Sequence, residues 1–431
     1  MENSEHWLIF SHCYNMDGRA ASQLVKPRIS ELSRRGVKCT VISAPNGAHD
    51  PYAFKHKRVF SLFPAGLKFE LRHWIRREVQ PKTLQRILLF VNSIVLSPLA
   101  IIERIFIPLE SQWSWFFSAF ASGTSSISTQ RNSIDLVYST GGPVGGHFAG
   151  ILLSKIFRIP CVCEFQDPLF FDSLEWRPKG RSKFLYRMVE KYILKNSYST
   201  VFMSKTAMSR AVLRTKINPK NAHFIYSGAP SVVQCPRSKS TNVSSRMILS
   251  HFGTLADRRN LNALFESLQQ VIHEHPHAEE FLKIELYGFL DLMVERSISS
   301  FEFKSIISIK GTIPHERALE KMEQSDILLL IQDDSYVAEE TIPSKIYEYL
   351  QKNKPVLALV NNKELYNILL EFNCYSAMIR DKEMIGIEIL NILNDAKMRT
   401  LKYPSGDFPD LNLAIDKLLQ IKVGLTRTQI Q

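Results

Sequence analysis

The residues best suited to chemistry stand in one stretch, EETIPSKIYEYLQKNKPVLAL, at positions 339–359. Glu340 and Glu348 lie eight positions apart, on either side of a Pro-Ser-Lys run at 343–345. The residue before a proline avoids the helical conformation, whereas proline itself suits a first helical turn. We therefore expect a helix to begin near 343–345, with one glutamate before it and one inside it.

The start of that helix is suited to binding an anion. Free backbone N–H groups and the positive end of the helix dipole attract negative charge, and Ser344 and Lys345 add a hydroxyl and an ammonium group. A carboxylate on either side can accept hydrogen bonds from the vicinal hydroxyls of a ribose or a hexose. The same spacing also fits a first-turn acid at Glu340 and a solvated surface acid at Glu348, and spacing alone leaves both interpretations open.

A second candidate is the strand-loop-helix stretch HFGTLADRRNLNALF. Gly253 allows a ligand to approach the backbone, and Arg258 and Arg259 stand just before a helix predicted to start near Asn260. Guanidinium groups beside a helix start can neutralise a diphosphate. A tight turn with two solvated arginines explains the same residues.

The elements that position these residues follow from length and pattern. At 431 residues the chain fits two domains of about 200 residues each. Strands alternate with helices on both sides of the Ser- and Pro-rich stretch 228–246, which predicts two parallel sheets joined by a linker. Ligands of such sheets bind at the carboxyl ends of the strands, and this rule places Gly18, Gly141 and Asp167 on one rim, with His12 after the first strand. The first loop lacks G-x-G-x-x-G, which disfavours NAD.

The cysteines indicate neither a metal site nor a disulfide framework. They occur without the pairs or Cys/His clusters of zinc sites, at positions 13, 39, 161, 163, 235 and 374. We expect no metal and no cofactor. Cys161 and Cys163 lie two apart on an apolar run, so on a strand both should face the core. Unpaired cysteines and an N-terminal apolar run of only five residues favour a cytoplasmic location.

The net charge of +12 is concentrated in one segment. Residues 55–86 contain only two acids, Glu70 and Glu78, and nine cations: Lys55, Lys57, Arg58, Lys68, Arg72, Arg76, Arg77, Lys82 and Arg86. The apolar run 87–102 follows, interrupted by Asn92 and Pro98 and too short for the roughly 20 residues of a spanning helix. Aromatic residues flank both, at Trp74, Trp113, Trp115, Phe116 and Phe117. The pattern fits docking on an anionic membrane surface, or else a solvated basic helix beside a buried one; no motif supports nucleic acid.

Taken in order, these pieces resemble the family 4 glycosyltransferases, which have the GT-B fold. The resemblance rests on the Glu340 to Glu348 motif followed by KPVLAL, the FGTL…RRN turn, the stretch GTIPHERALEKMEQSDILLL and the loop DGRAAS. The stretch IDLVYSTGGPVGGHFAGILLSKIFRIPCVCEFQDP is similar to the branch that builds bacterial surface polysaccharides.

The resemblance implies an α/β fold of two Rossmann-like domains facing across a cleft, with a C-terminal helix that crosses back to the first domain. The acceptor-binding domain would span 1–230, with a membrane-facing insert near 55–117. A linker at 231–246 would lead to the nucleotide-sugar-binding domain at 247–405, and residues 406–431 would form the crossing helix.

Residue by residue, the resemblance implies that Glu348 binds the donor ribose and Glu340 the sugar hydroxyls. Arg259 and Lys345 would act with Glu340 as the catalytic set, while the other donor-binding positions would be Ser344, Gly253, Gly18, Arg258 and Thr312. Thr254 stands where the family often has arginine, which leaves the diphosphate charge to the arginines and the lysine named above. Asp167 and His12 are the candidates on the acceptor side.

The function implied is metal-independent transfer of a sugar, with retention, from a UDP- or GDP-sugar to a glycan or lipid-linked acceptor. The expected partners are that donor, that acceptor and an anionic membrane surface, without nucleic acid. The expected location is cytoplasmic, peripheral on the inner face of the membrane. Two alternatives remain: a nucleotide-sugar epimerase of the same fold, and a membrane-associated binding protein without turnover.

Overall fold

The structure is a computed structural model that describes residues 5–16, 20–50, 54–129, 133–170, 180–217, 222–230 and 246–423. It divides into two compact units. The first comprises Met1–Ser227 and Leu411–Gln431, and the second comprises Gly228–Asp410. The chain therefore leaves the first unit, builds the second and returns.

The first unit is built on a parallel sheet of seven strands. In chain order they are β1 (His6–Phe10), β2 (Lys38–Ser43), β3 (Lys55–Arg58), β4 (Leu136–Thr140), β5 (Cys161–Phe165), β6 (Ser199–Phe202) and β7 (Ala222–Phe224). Their spatial order is β3-β2-β1-β4-β5-β6-β7. The central strands are buried along their whole length, as expected for a parallel sheet covered on both faces.

Helices cover this sheet on two faces. Those before the linker are α1 (Ala20–Arg34), α2 (Pro64–Glu78), α3 (Lys82–Phe106), α4 (Trp115–Thr129), α5 (Val144–Phe157), α6 (Arg181–Asn196) and α7 (Lys205–Thr215). One core contains side chains of α4 to α7 packed with Phe10 and Val137, together with Cys161 and Cys163. The prediction that these two cysteines share one buried face is confirmed, and their sulfur atoms lie 3.8 Å apart without a disulfide.

The second unit repeats the arrangement with six parallel strands, in the spatial order β10-β9-β8-β11-β12-β13. The strands are β8 (Met247–Phe252), β9 (Leu282–Tyr287), β10 (Ile307–Gly311), β11 (Ile327–Ile331), β12 (Val356–Val360) and β13 (Tyr375–Met378). The helices are α8 (Asn262–Glu274), α9 (His277–Phe281), α10 (Leu292–Ser300), α11 (His315–Gln324), α12 (Lys345–Gln351), α13 (Lys363–Glu371) and α14 (Lys382–Met398). The two parallel α/β sheets predicted from the sequence are thus confirmed.

The last helix, α15 (Leu411–Val423), belongs to the first unit. Its Ile415 and Leu418 are buried in the same core as Val25 and Ile29 of α1, on the sheet face opposite to the cysteines. A C-terminal helix returns to the first unit, as the family resemblance implies.

The insert of the first unit begins later than the charge pattern indicates. Residues 55–58 are not part of it, because they form β3 and pair with β2 at the sheet edge. The aromatic flank is also partly internal: Trp115 is fully buried, and its indole N–H donates to the carbonyl oxygen of Val59 at 3.0 Å. The insert proper is the hairpin of α2 and α3.

Helix α3 differs most from expectation. The interrupted apolar run at 87–102 is by itself too short for a spanning helix, but the helix that contains it continues through Pro98 for 25 residues. Among the described residues, α3 is the one helix long and apolar enough to cross a membrane. Only 11% of its most apolar 18-residue segment is buried.

Candidate functional site

The candidate site of the second unit begins where β8 ends. Gly253 follows the strand with φ of +139°, a conformation that side chains rarely adopt, and its N–H donates to the carbonyl oxygen of Tyr287 at 2.7 Å. A Cβ on Gly288 would lie 2.1 Å from the carbonyl oxygen of Gly253. The loops after β8 and β9 therefore touch backbone to backbone, and both positions need glycine.

Lys345, the first residue of α12, reaches into this loop. A Cβ on Gly253 would lie 1.7 Å from the Lys345 Nζ, so the ammonium group occupies the space that the glycine leaves open. Burial, followed by the nearby positive charge of Arg259, lowers the pKa of Lys345 to about 8, although Glu348 opposes the change. The ammonium group is therefore still cationic at neutral pH, but poorly hydrated.

Arg259 supplies a second cation from the turn after β8. Its backbone N–H donates to the carbonyl oxygen of Ala256 at 3.0 Å, which closes the turn, and its buried Nε has no hydrogen-bond partner. Within the described parts of the chain, no carboxylate lies at ion-pair distance from Arg259 or Lys345. Two crowded cations without a counterion favour the binding of an anion between them.

His251 of β8 lies beside these cations and was not among the predicted site residues. Its Nδ1 bonds the carbonyl oxygen of Leu329 at 3.0 Å, and its buried Nε2 has no partner. Burial first, and then the charge of Lys345, lower its pKa to about 3, so the ring is neutral. A histidine inside an otherwise apolar strand is the sequence signal that could have identified it.

Glu348 lies one turn inside α12, with 26% of its side chain exposed. Its Oε1 is 3.7 Å from the Nε2 of His315, the first residue of α11, which sequence analysis also missed. Burial raises the pKa of Glu348, while the charges of His315 and Lys345 oppose that rise. The interpretation of Glu348 as a solvated surface acid is therefore wrong.

Glu340 closes a 3₁₀ turn at Ala338–Glu340 and is 3% exposed. Glu340 is not a first-turn acid of α12, because its turn ends before that helix begins. It is not a surface residue either, because it is buried. The surrounding loop is held from β11: Gln332 donates to the carbonyl oxygens of Ala338 and Thr341, both at 2.8 Å. Asn362 also donates to Thr341, at 3.1 Å. These amides fix the loop, and apolar periodicity does not reveal such contacts.

Three of the other predicted donor-binding residues, Ser344, Arg258 and Thr312, follow strands of the second sheet, in different surroundings. Helix α12 begins at Lys345, as the proline pattern predicts, with Ser344 directly before it and without a side-chain cap. Arg258 is half-buried in the turn after β8. Thr312 is exposed just after the edge strand β10. Gly18 lies outside the described residues. Their roles in binding the donor stay predictions.

In the first unit, His12 is enclosed at the end of β1. Its Nε2 lies 2.9 Å from Glu70 of α2, and its Nδ1 lies 3.3 Å from the amide of Asn46 and 3.5 Å from the sulfur of Cys13. Burial alone would lower its pKa, but the hydrogen bonds to Cys13 and Glu70 raise it to about 9. His12 ties the insert to the sheet, and its acceptor role stays a prediction.

Gly141 and Asp167 follow the paired strands β4 and β5, so they share one edge of the sheet as predicted. Asp167 is solvent-exposed. In the chain as far as it is described, no group of three or more His, Cys, Asp and Glu side chains could hold a metal ion.

Comparison with solved structures defines the fold. HepE of Anabaena, solved with UDP, aligns with a TM-score of 0.61 at 13% identity, covering 98% of this chain and 100% of its own. A glycosyltransferase of Rickettsia africae aligns with a TM-score of 0.63 at 14% identity, covering 99% of each chain. Sucrose-phosphate synthase of Thermosynechococcus elongatus aligns with a TM-score of 0.60 at 13% identity, covering 99% of this chain and 96% of its own.

No protein-family model matches the chain, and no curated protein matches it in sequence. The structural matches extend over both units and establish the GT-B glycosyltransferase fold. At these identities they establish the fold alone.

Proposed function

We propose that this protein is a retaining, metal-independent glycosyltransferase of the family 4 type. It transfers a sugar from a UDP- or GDP-sugar to a glycan or lipid-linked acceptor in surface-polysaccharide synthesis. The observation that carries the proposal is the Lys345 ammonium group against Gly253 at the carboxyl end of the sheet, with the charge of Arg259 nearby and, among the described residues, no carboxylate at ion-pair distance from either. Glu348, one turn away, supplies the carboxylate that a ribose requires.

The chemistry of sugar transfer explains why the cations are needed. The bond between the anomeric carbon and a diphosphate oxygen breaks, so negative charge develops on the diphosphate while the sugar becomes positive. The acceptor oxygen bonds to the anomeric carbon, and its proton passes to the departing diphosphate oxygen. Lys345 and Arg259 stabilise the departing charge, and one lost preorganised donor of this kind typically costs about 3 kcal/mol.

The structural neighbours support a uridine nucleotide. HepE has been solved with UDP and with UDP-glucose. We assign the donor to residues 247–405, with Glu340 directed at the sugar hydroxyls, and the acceptor to residues 1–230. We place the enzyme in the cytoplasm, at the inner face of the membrane where a lipid-linked acceptor would be available.

The first experiment is a thermal-shift screen of the purified full-length protein against a panel of UDP- and GDP-sugars. We expect one donor to stabilise the protein, and Glu348→Gln to abolish most of that stabilisation. Glu316→Gln, on the exposed surface of α11, is the matched control and should behave as the wild type. If no nucleotide sugar stabilises the wild type, or if Glu348→Gln binds normally, the proposal fails.

Turnover separates the transferase from its alternatives. Release of UDP or GDP that requires an acceptor supports transfer. Isomerised nucleotide sugar formed without an acceptor would indicate the epimerase. Donor binding without turnover on any glycan or lipid-linked acceptor would indicate the binding protein.

A further inference from the structure

Helix α3 exposes many of its large apolar side chains to solvent, whereas a hairpin surrounded by water would bury them. Eleven large apolar side chains are between 46% and 71% exposed: Leu84, Ile87, Phe90, Val91, Ile94, Val95, Leu99, Ile101, Ile102, Ile105 and Phe106. A contiguous apolar surface of this kind on a folded protein marks an interaction site.

Three polar side chains of α3, those of Gln85, Asn92 and Glu103, instead face α2. Gln85 donates to the carbonyl oxygens of Arg76 and Val79 at the end of α2, at 3.0 and 3.2 Å. Glu103 accepts from the N–H of Ala65 in the first turn of α2, at 2.7 Å. Asn92, between them, donates to the carbonyl oxygen of Lys68 at 3.1 Å. Three side chains thus fasten α3 along the whole of α2 and fix which side faces outward.

A cationic cavity of about 350 Å³ opens between the same two helices. Lys68, Arg72 and Arg104 line it, together with Ser97 and Ser111, and the exposed Ile101 stands at its wall. Lys68 donates to the hydroxyl of Ser97 at 2.7 Å, and Arg104 donates to that of Ser111 at 2.5 Å. In the described sequence none of the three cations has a carboxylate at ion-pair distance. The hydroxyls orient two of the cations without neutralising them.

We propose that the α2–α3 hairpin lies in the plane of an anionic bilayer and that the cavity binds the phosphate of one phospholipid headgroup. The apolar face of α3, about 37 Å long, would contact the acyl chains, and Lys68, Arg72 and Arg104 would meet the phosphate at the boundary. This site is separate from the proposed donor site and does not depend on it.

The geometry favours this occupant over two others. A helix that crossed the bilayer would have to take Asn92 and Glu103 away from α2 and into hydrocarbon. A second copy in a two-fold dimer would bring the same surface face to face, and the three cations would meet their own counterparts. An anionic bilayer matches both the apolar face and the charge.

The cavity is tested with vesicles of phosphatidylcholine alone and of phosphatidylcholine mixed with phosphatidylglycerol. The triple variant Lys68→Gln, Arg72→Gln, Arg104→Gln removes the cavity cations. Its matched control, Arg76→Gln, Lys82→Gln, Arg86→Gln, removes three cations of the same hairpin that do not line the cavity. We expect the cavity variant to bind the anionic vesicles at least about tenfold more weakly than the control, since it also loses charge-assisted hydrogen bonds. Equal losses would reduce the effect to general attraction and overturn the headgroup site.

The apolar face is tested with Ile87→Ser, Ile94→Ser and Ile101→Ser combined. These exposed positions should leave the fold intact, as circular dichroism will check, and binding to both kinds of vesicle should fall more than tenfold. Unchanged binding overturns the docking surface. A stable dimer that this variant converts to a monomer would assign α3 to a second copy. Inorganic phosphate that stabilises the wild type but not the cavity variant, with no loss of vesicle binding in that variant, would assign the cavity to free phosphate.

Discussion

The charged side chains at the carboxyl ends of the two sheets differ in whether they form ion pairs. In the first unit, Arg28 of α1 forms a buried ion pair with Glu164 of β5, and Thr140 donates to the other oxygen of that carboxylate at 2.7 Å. His12 is similarly paired with Glu70. In the second unit, no described carboxylate lies at ion-pair distance from Lys345 or Arg259, although Glu348 is near enough to raise the pKa of Lys345.

This contrast separates residues that stabilise a fold from residues kept available for a ligand. A buried charge without a partner destabilises a protein, so it persists when a function requires it. The two halves share one strand-helix pattern, but among the described residues the cations Lys345 and Arg259 of the second unit lie without a carboxylate at ion-pair distance, at the edge where ligands of parallel sheets bind.

Arg28→Met tests this contrast with the largest expected effect on stability. The substitution leaves Glu164 buried and unpaired, and we expect the free energy of unfolding to fall by about 3 to 5 kcal/mol. All five tryptophans belong to the first unit, so tryptophan fluorescence in urea reports on it alone. Arg34→Met, on the exposed side of the same helix, should leave the free energy of unfolding nearly unchanged, because solvent screens its ion pair with Glu31. Equal effects would show that the pair is not structural.

Lys345→Ala should lower activity and not stability, because Lys345 has no ion-pair partner to lose among the described residues. We expect the transfer rate to fall by about 10² to 10³, as for one lost preorganised donor, with thermal stability unchanged or raised. The control is Lys363→Ala, which changes the exposed first residue of α13 in the same unit. Lower stability together with unchanged donor binding would make Lys345 a structural residue.

The pair of His12 and Glu70 predicts a dependence of stability on pH. The pKa of His12 is raised from 6.5 to about 9 on folding, so the folded state holds its proton more tightly. The stabilisation is complete below pH 6.5 and is lost as the pH rises through 9, and it amounts to roughly 3 kcal/mol at about 1.4 kcal/mol per pKa unit. Urea unfolding followed by tryptophan fluorescence should show this decline. His12→Asn should flatten it, and a wild type without the decline would contradict the pairing.

Gly253→Ala tests, with a smaller expected effect, whether the position of Lys345 matters for donor binding. The added Cβ meets the Lys345 ammonium group, and φ of +139° strains any side chain. We expect donor affinity to fall about tenfold, equivalent to roughly 1.4 kcal/mol, as measured by titration calorimetry. Gly311→Ala also has positive φ, +72°, but meets no atom within 4 Å, so it controls for backbone strain. Equal losses would show that strain, not displacement of Lys345, is the cause.

The family resemblance and the β-α alternation were enough to predict the fold, whereas the roles of the site residues stay predictions. Gly253, Arg259 and Lys345 meet in the structure because each follows a strand of one parallel sheet. His251 and His315 were missed because neither belongs to a motif, and each acquires its position only when neighbouring strands and helices assemble. For Glu340 and Glu348, spacing left open a surface role that burial removes.

The alternation of strands and helices and the start of α12 follow from the amino-acid sequence alone, because apolar periodicity and proline geometry act within a few residues. Which charges find partners depends on the tertiary structure, because those partners lie far away in the chain. His12, Glu70 and Arg28 look no different in sequence from Lys345 or Arg72, yet the first three are neutralised by distant residues. The outward apolar face of α3 is likewise a tertiary result, since its polar side chains turn inward to bond the ends of α2.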